Sequence, residues 1–213
     1  MPYLGAAGTG AKKKSTNAAE QDRPDVALAR RNWFPSLGAV RIRDLVFIDE
    51  FGATTTMQRL YGRGPRGQRV FSKVPHGHWK TISTIAAMSS QGMVASASFD
   101  GATDTPTFIA FIRGAVVPAL QPGQVVVMDN LACHKDSEIA RLLNDCGAKL
   151  LYLPPYSPDL NPIELAISKI KTLLRKLARR SVDTLFTAIA EALASISSTD
   201  ATHYMLHRGY PLH

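Results

Sequence analysis

Asp49 and Asp129 each follow directly on a four-residue apolar run, Leu45-Val46-Phe47-Ile48 and Val125-Val126-Val127-Met128. Such runs read as buried strands, and side chains at the carboxyl ends of strands in an open α/β sheet face the binding crevice. Two carboxylates placed there repel each other unless a cation lies between them, which points to a metal site. Glu164, in the first turn of a helix opened by Asn161-Pro162-Ile163, supplies a third acidic group. Oxygen-only ligands suit Mg2+ or Mn2+ and not zinc. Each position also has a plainer reading. A lone Asp after a strand is most often a turn or cap residue, and Asn161-x-x-Glu164 fits a helix-capping box.

The chain that must position these groups has 213 residues, 45% of them hydrophobic and 20% charged, enough to bury a core. Lys and Arg number 25 against 17 Asp and Glu, a net charge of +8 that favours a polyanionic partner over an acidic small molecule. Cys133 and Cys146 have no metal-type spacing, which argues against a disulfide scaffold or a cysteine zinc site and fits a reducing cytosol. No apolar run approaches the roughly 20 residues of a membrane span; the best, Phe108 to Leu120, is broken by Arg113 and Pro118. A soluble cytoplasmic protein with no membrane partner is expected.

Residues 1–43 read as a basic linker, irregular and marked by Lys12, Lys13, Lys14, Arg30 and Arg31; only Asp25 to Trp33 would support a short helix. Residues 44–213 read as one domain. Strands are expected at 45–48, Thr54 to Tyr61, Lys80 to Ala87, Met93 to Phe99, 125–128 and Lys149 to Leu153. Thr105 followed by Pro106 reads as an N-cap opening a helix to about Leu120, and Ser137 to Asp145 as a short helix stopped by Gly147. Long helices follow from Ile163 to about Arg180 and from Val182 to Ile196. The class is α/β: a mixed sheet flanked by helices, with a helical C-terminal segment.

The stretch Tyr152-Leu153-Pro154-Pro155-Tyr156-Ser157-Pro158-Asp159-Leu160-Asn161-Pro162-Ile163-Glu164 resembles the third-carboxylate motif of DDE transposases in the mariner-like superfamily, in its bacterial insertion-sequence branch. Phe47-Ile48-Asp49-Glu50 is similar to that family's first-Asp strand. Val126-Val127-Met128-Asp129-Asn130, with His134-Lys135 after it, is similar to its second. The 34 residues between Asp129 and Glu164 match the superfamily's spacing. The resemblance covers about residues 43 to 210. It implies a ribonuclease-H-like fold, with Asp49, Asp129 and Glu164 as catalytic ligands of two Mg2+ or Mn2+ ions. It also implies cleavage of DNA at transposon ends and transfer into target DNA by a homodimer, in the cytoplasm at the nucleoid.

Several neighbours need placing. Glu50 should point to the opposite face from Asp49 and is left out of the site. Asn130 and His134 match family positions and are candidates for orienting ligands or phosphate. His76-x-His78 lacks a third ligand nearby, and Asp100, Asp104 and Asp159 read as turn and cap residues. On the long helix Ile163, Ile167, Ile170, Leu174 and Leu177 form one apolar stripe, while Lys171, Arg175 and Arg179 fall within about 60° of Glu164. With Lys135 these cations suit a phosphate backbone lying across the site; a solvated helix face is the plainer reading.

Family members carry N-terminal helix-turn-helix modules that read the transposon ends, and this chain begins after them. Three origins stay open: the downstream half of a transposase split across two reading frames, whose partner is an upstream helix-turn-helix half, a fusion fragment, or a decayed copy. The rival function is a non-catalytic DNA-binding remnant that titrates full-length transposase. A phosphatase of the haloacid dehalogenase type needs a second Asp two positions after the first, where this chain has Phe51.

Overall fold

The computed structural model describes residues 19–73, 77, 79–131 and 134–211. Lys12 to Lys14, the His76/His78 pair and Cys133 lie outside them. In chain order the elements are α1 (Pro24–Leu37), β1 (Leu45–Thr54), β2 (Thr81–Ser89), β3 (Gly92–Asp100) and α2 (Thr105–Phe111). A π-helical stretch, Ile112–Val116, joins α2 to α3 (Val117–Ala119). Pro118 has no N–H to give to the Gly114 carbonyl, and the widened turn lies just before it. Then come β4 (Val125–Met128), α4 (Ser137–Asp145), β5 (Lys149–Tyr152), α5 (Ile163–Leu177), α6 (Val182–Ala194) and α7 (Ser198–His207).

The five strands form one mixed sheet in the order β3-β2-β1-β4-β5. β2 is antiparallel to β1 and β3, while β1, β4 and β5 run parallel. Period-2 alternation along β1 sends Leu45, Phe47, Phe51 and Ala53 into the core shared with α1, α5, α6 and α7. Val46 and Ile48 enter a second core with Phe108 and Phe111 of α2 and Ile139 and Leu143 of α4. Helices thus cover both faces, and the last three form the helical C-terminal segment.

Five local expectations are revised. β1 does not end at Ile48: it stays paired with β2 as far as Thr54↔Thr81, so Asp49 lies within the strand. No strand follows over Thr54 to Tyr61, because the chain turns at Thr55 and then meets Gly62, Gly64, Pro65 and Gly67. Asp104, rather than Thr105, caps α2 by accepting from the Thr107 N–H at 2.9 Å; a carboxylate is a better acceptor there than a hydroxyl. α5 stops at Leu177, since Ala178 turns left-handed (φ 49°) and returns its N–H to the Leu174 carbonyl. Arg179 therefore leaves the helix. Finally α7, begun by a Ser197/Asp200 capping box, was not anticipated as a separate helix.

The first described residues share the main core. Trp33 and Leu37 of α1 and Ile42 are buried with Phe47, Ile167 and Tyr210. The indole Nε1 of Trp33 donates to the Tyr210 hydroxyl at 2.9 Å, and that hydroxyl donates to the Leu160 carbonyl at 2.8 Å. Both polar tips of these large aromatics are thereby satisfied inside the core.

Candidate active site

The parallel ladder between β1 and β4 runs only from Leu45↔Val125 to Phe47↔Val127. Beyond it the strands part at the point where the sheet's neighbours change from parallel to antiparallel, the kind of place where α/β sheets open a crevice. Asp49 borders this gap from β1, still held on its other side by pairing with Ala86 of β2. Asp129 borders it as the first residue after β4. Both have the odd parity of Phe47 and Val127, so they face the side on which α5 packs. Glu164, in the first turn of α5, completes the set. Asp49, Asp129 and Glu164 line one cavity of about 400 Å³, together with Asn130, Tyr156 and Asn161.

The Asp49 carboxyl is far from its ordinary value. Burial pushes its carboxyl up to about 7, the charges of Glu164 and Asp129 push in the same direction, and the hydrogen bond from the Glu50 N–H opposes them. That N–H reaches Oδ1 at 2.7 Å, and Asn161 Nδ2 donates to Oδ2 at 2.9 Å.

The capping box does not form. Pro162 is the N-cap of α5, in helical conformation and without a side-chain cap bond. The Asn161 N–H instead goes to the Pro158 carbonyl at 3.0 Å, and its side chain goes to Asp49. Glu164 is left to face the cavity. The sequence does not signal this role of Asn161, because Asn-Pro before a helix is itself an ordinary helix start.

His134 joins the site from below. Its Nδ1 stands 2.5 Å from Asp129 Oδ1, and its Nε2 stands 3.1 Å from Glu50 Oε1. Glu50 does point to the opposite face from Asp49, as alternation demands, but His134 connects it to the carboxylates. The ring is buried and stacked on Phe108, with centroids 4.2 Å apart, and the Tyr152 hydroxyl donates to the His134 carbonyl at 2.7 Å.

The Pro-rich loop forms the cavity's other wall. Tyr156 holds a left-handed backbone (φ 55°), a conformation costly for a bulky side chain, and is exposed at the rim. The neighbouring contacts come from the chain's first described residues: Gln21 Nε2 donates to the Tyr156 carbonyl at 2.6 Å. Arg30 makes a two-pronged pair with Asp159 at 2.9 and 2.6 Å and donates to Ser157 Oγ at 2.7 Å. That guanidinium holds the Asp159 carboxyl below the usual carboxylate range.

The expected cations are not gathered at the carboxylates. Arg175 lines a separate groove of about 360 Å³ with Arg59, Leu60, Tyr61, Thr172 and Lys176. Lys171 is half-buried on α5, Arg179 is exposed beyond its end, and Lys135 is exposed next to His134. Asn130 lines the carboxylate cavity. Among the described residues, no group of three or more His, Cys, Asp or Glu side chains stands close enough together to hold a metal ion. In chemistry the donor set fits a hard divalent cation. It is all oxygen and all acidic, and burial, reinforced by the charges of Glu164 and Asp129, pushes Asp49 toward its neutral form. Also among the described residues, no helix is long and apolar enough to cross a membrane.

A family model described as DDE superfamily endonuclease matches residues 44–186. No curated protein matches the chain. Among solved structures, a Mos1 transposase paired-end complex with left transposon end superposes with a TM-score of 0.78 at 15% identity, covering 94% of this chain and 63% of that one. The Mos1 mariner paired-end complex with Mn gives 0.73 at 15% identity, covering 93% and 63%. The Mos1 transposase catalytic domain with Raltegravir and Mg gives 0.62 at 13%, covering 91% of each chain. At these identities the shared property is the fold, ribonuclease-H-like as expected. The chain spans 63% of the length of the first of these proteins.

Proposed function

The chain belongs to the DDE superfamily endonucleases, and from that premise we propose that it is a transposase catalytic domain that cleaves DNA at transposon ends and transfers those ends into target DNA. The observation that carries the proposal is the convergence of Asp49, Asp129 and Glu164, from three different elements, on one cavity. Asp49, Asp129 and Glu164 would hold two divalent cations, Mg2+ or Mn2+. When bound, these supply charge neutralisation at a phosphodiester, activation of a water or 3′-hydroxyl, and stabilisation of the leaving oxygen.

The chain's own residues do the positioning. Asn161 and the Glu50 N–H fix both oxygens of Asp49. The loop from Pro154 to Asn161, held from α1 by the Arg30 bonds to Ser157 and Asp159, leads into α5 and so sets where Glu164 stands. Lys135, Lys171, Arg175 and Arg179, within a chain of net charge +8, would bind the phosphate backbone on either side of the cut. Asn130, on the cavity wall, would orient the scissile phosphate. In this reading residues 44–213 carry the catalytic domain, and the basic segment 1–43 contributes α1 and Ile42 to its core. An upstream helix-turn-helix half reads the transposon ends, and the complex works as a homodimer on DNA in the cytoplasm at the nucleoid.

The test is cleavage of supercoiled DNA with and without Mg2+ or Mn2+. Nicking should need the cation and disappear in Asp129→Asn, which keeps size and removes a negative ligand. A variant that nicks as fast as the parent would remove Asp129 from the ligand set, and a parent that does not nick would return the protein to the role of a non-catalytic DNA-binding remnant.

A further inference from the structure

We propose that Glu50 is a positioning residue of this site, acting through His134 on Asp129; the inference rests on reading Asp129 as a metal ligand. Alternation along β1 puts Asp49 and Glu50 on opposite faces of the sheet, yet both serve the same carboxylate cluster. Asp49 does so directly and Glu50 does so through the imidazole that spans the gap between β1 and β4.

Each degree of freedom of the His134 ring has a separate restraint. Stacking on Phe108, at an interplanar angle of 29°, sets the plane of the ring. The Tyr152 hydroxyl, donating to the His134 carbonyl, anchors its backbone. Neither contact decides which ring nitrogen faces which way, since an imidazole flipped about its axis would stack as well. Glu50 decides it: Oε1 at 3.1 Å accepts from Nε2, and a ring that carries protons on both nitrogens then donates from Nδ1 to Asp129 Oδ1. Glu50 is itself a partly buried carboxylate, its side chain 23% exposed, and a charge so placed is costly without a partner.

Asp129 needs such a support more than Asp49 does. It lies past the last paired residue of β4, and its contact with its own loop is a hydrogen bond from the Leu131 N–H at 3.3 Å. Both that bond and the approach of His134 Nδ1 are to Oδ1, and we assign Oδ2 to the cation. Carboxylate ligands are commonly held in this way by a partner behind them, and losing the partner typically costs about 10–100-fold in metal affinity.

The experiment is a Mn2+ titration of the purified full chain at one fixed pH, read by calorimetry. It is paired with the ring nitrogen signals of His134 in NMR spectra and with thermal melts. Asp129→Asn should lose Mn2+ binding. Glu50→Ala should weaken it about 10–100-fold and move the His134 ring signals. Glu50→Gln, which keeps an oxygen able to accept from Nε2–H, should restore most of the affinity. A purely structural Glu50 would give a lower melting temperature in Glu50→Ala with unchanged Mn2+ affinity, and that result overturns the inference. If Asp129→Asn binds Mn2+ like the parent, the ligand reading fails instead, which is a separate and recognisable outcome. Should Glu50→Ala fail to fold, Glu50→Met, of similar volume and unable to accept the bond, makes the same comparison.

Discussion

Asn161 donates from Nδ2 to Oδ2 of Asp49 at 2.9 Å, joining residues 112 positions apart in sequence. One buried side chain thereby sets the start of α5, and with it Glu164, against the middle of β1. Asn161→Ala should cost about 1–2 kcal/mol, the size of a buried hydrogen bond to a carboxylate. Urea denaturation of the metal-free protein measures it. A loss below a few tenths would mean that the bond is not held in solution.

Glu164→Gln separates a ligand from a cap. Because α5 has no side-chain cap bond, the substitution should change stability by no more than about 0.5 kcal/mol. Removing that charge should also let the Asp49 carboxyl fall back toward its ordinary value. Metal-dependent nicking should nevertheless nearly vanish. An active but clearly destabilised variant would assign Glu164 a structural role.

The raised carboxyl of Asp49 predicts a pH dependence with a definite sign. Its value of about 7 in the fold lies above the ordinary 3.8, so the native state binds the proton more tightly than the unfolded chain. This contribution to stability is complete below about pH 4 and is lost as pH rises through 7, amounting to a few kcal/mol at most. Asp49→Asn cannot titrate and should lack that decline. Denaturation midpoints of both metal-free proteins from pH 4.5 to 8.5 would show it; parallel curves would refute the assignment.

Trp33 tests whether α1 belongs to the domain. A tryptophan buried against Tyr210 should cost about 3–5 kcal/mol on truncation to Ala. An exposed linker residue would cost almost nothing. Chemical denaturation distinguishes the two without any assay of activity.

DNA binding should be weak, salt-sensitive and nearly indifferent to sequence. The logarithm of affinity falls with the logarithm of salt by roughly 0.9 for each phosphate neutralised, so Lys171→Ala with Arg175→Ala should flatten the slope by about 2. Fluorescence anisotropy at 50 to 200 mM salt reads this. An unchanged slope would remove both residues from the interface.

The three acidic positions were legible in sequence because each is flagged by something local: an apolar run before Asp49 and Asp129, and a Pro-rich stretch before Glu164. The mixed sheet was legible for the same reason. What escaped depends on partners distant in sequence. The continuation of β1 past Asp49 is fixed by β2, and the burial of α1 by Tyr210 at the other end of the chain. Glu50 was set aside on correct parity, since nothing local announces that His134 reaches around to it. Arg179 was placed on a helix that Ala178 ends, and alanine carries no stop signal.

The parallel ladder pairing Val46 with Val126 joins segments about 80 residues apart, whereas β4 and β5 pair across only 24. Closing the longer loop costs entropy before any contact repays it, so this pairing belongs to the slow part of folding. The antiparallel β1-β2-β3 meander is more local and can assemble first with Asp49 alone. Asp129 and Glu164 join it only when β4 and α5 dock. A nascent or partly unfolded chain therefore carries the three carboxylates without the cluster, which needs both the pairing of β4 with β1 and the docking of α5.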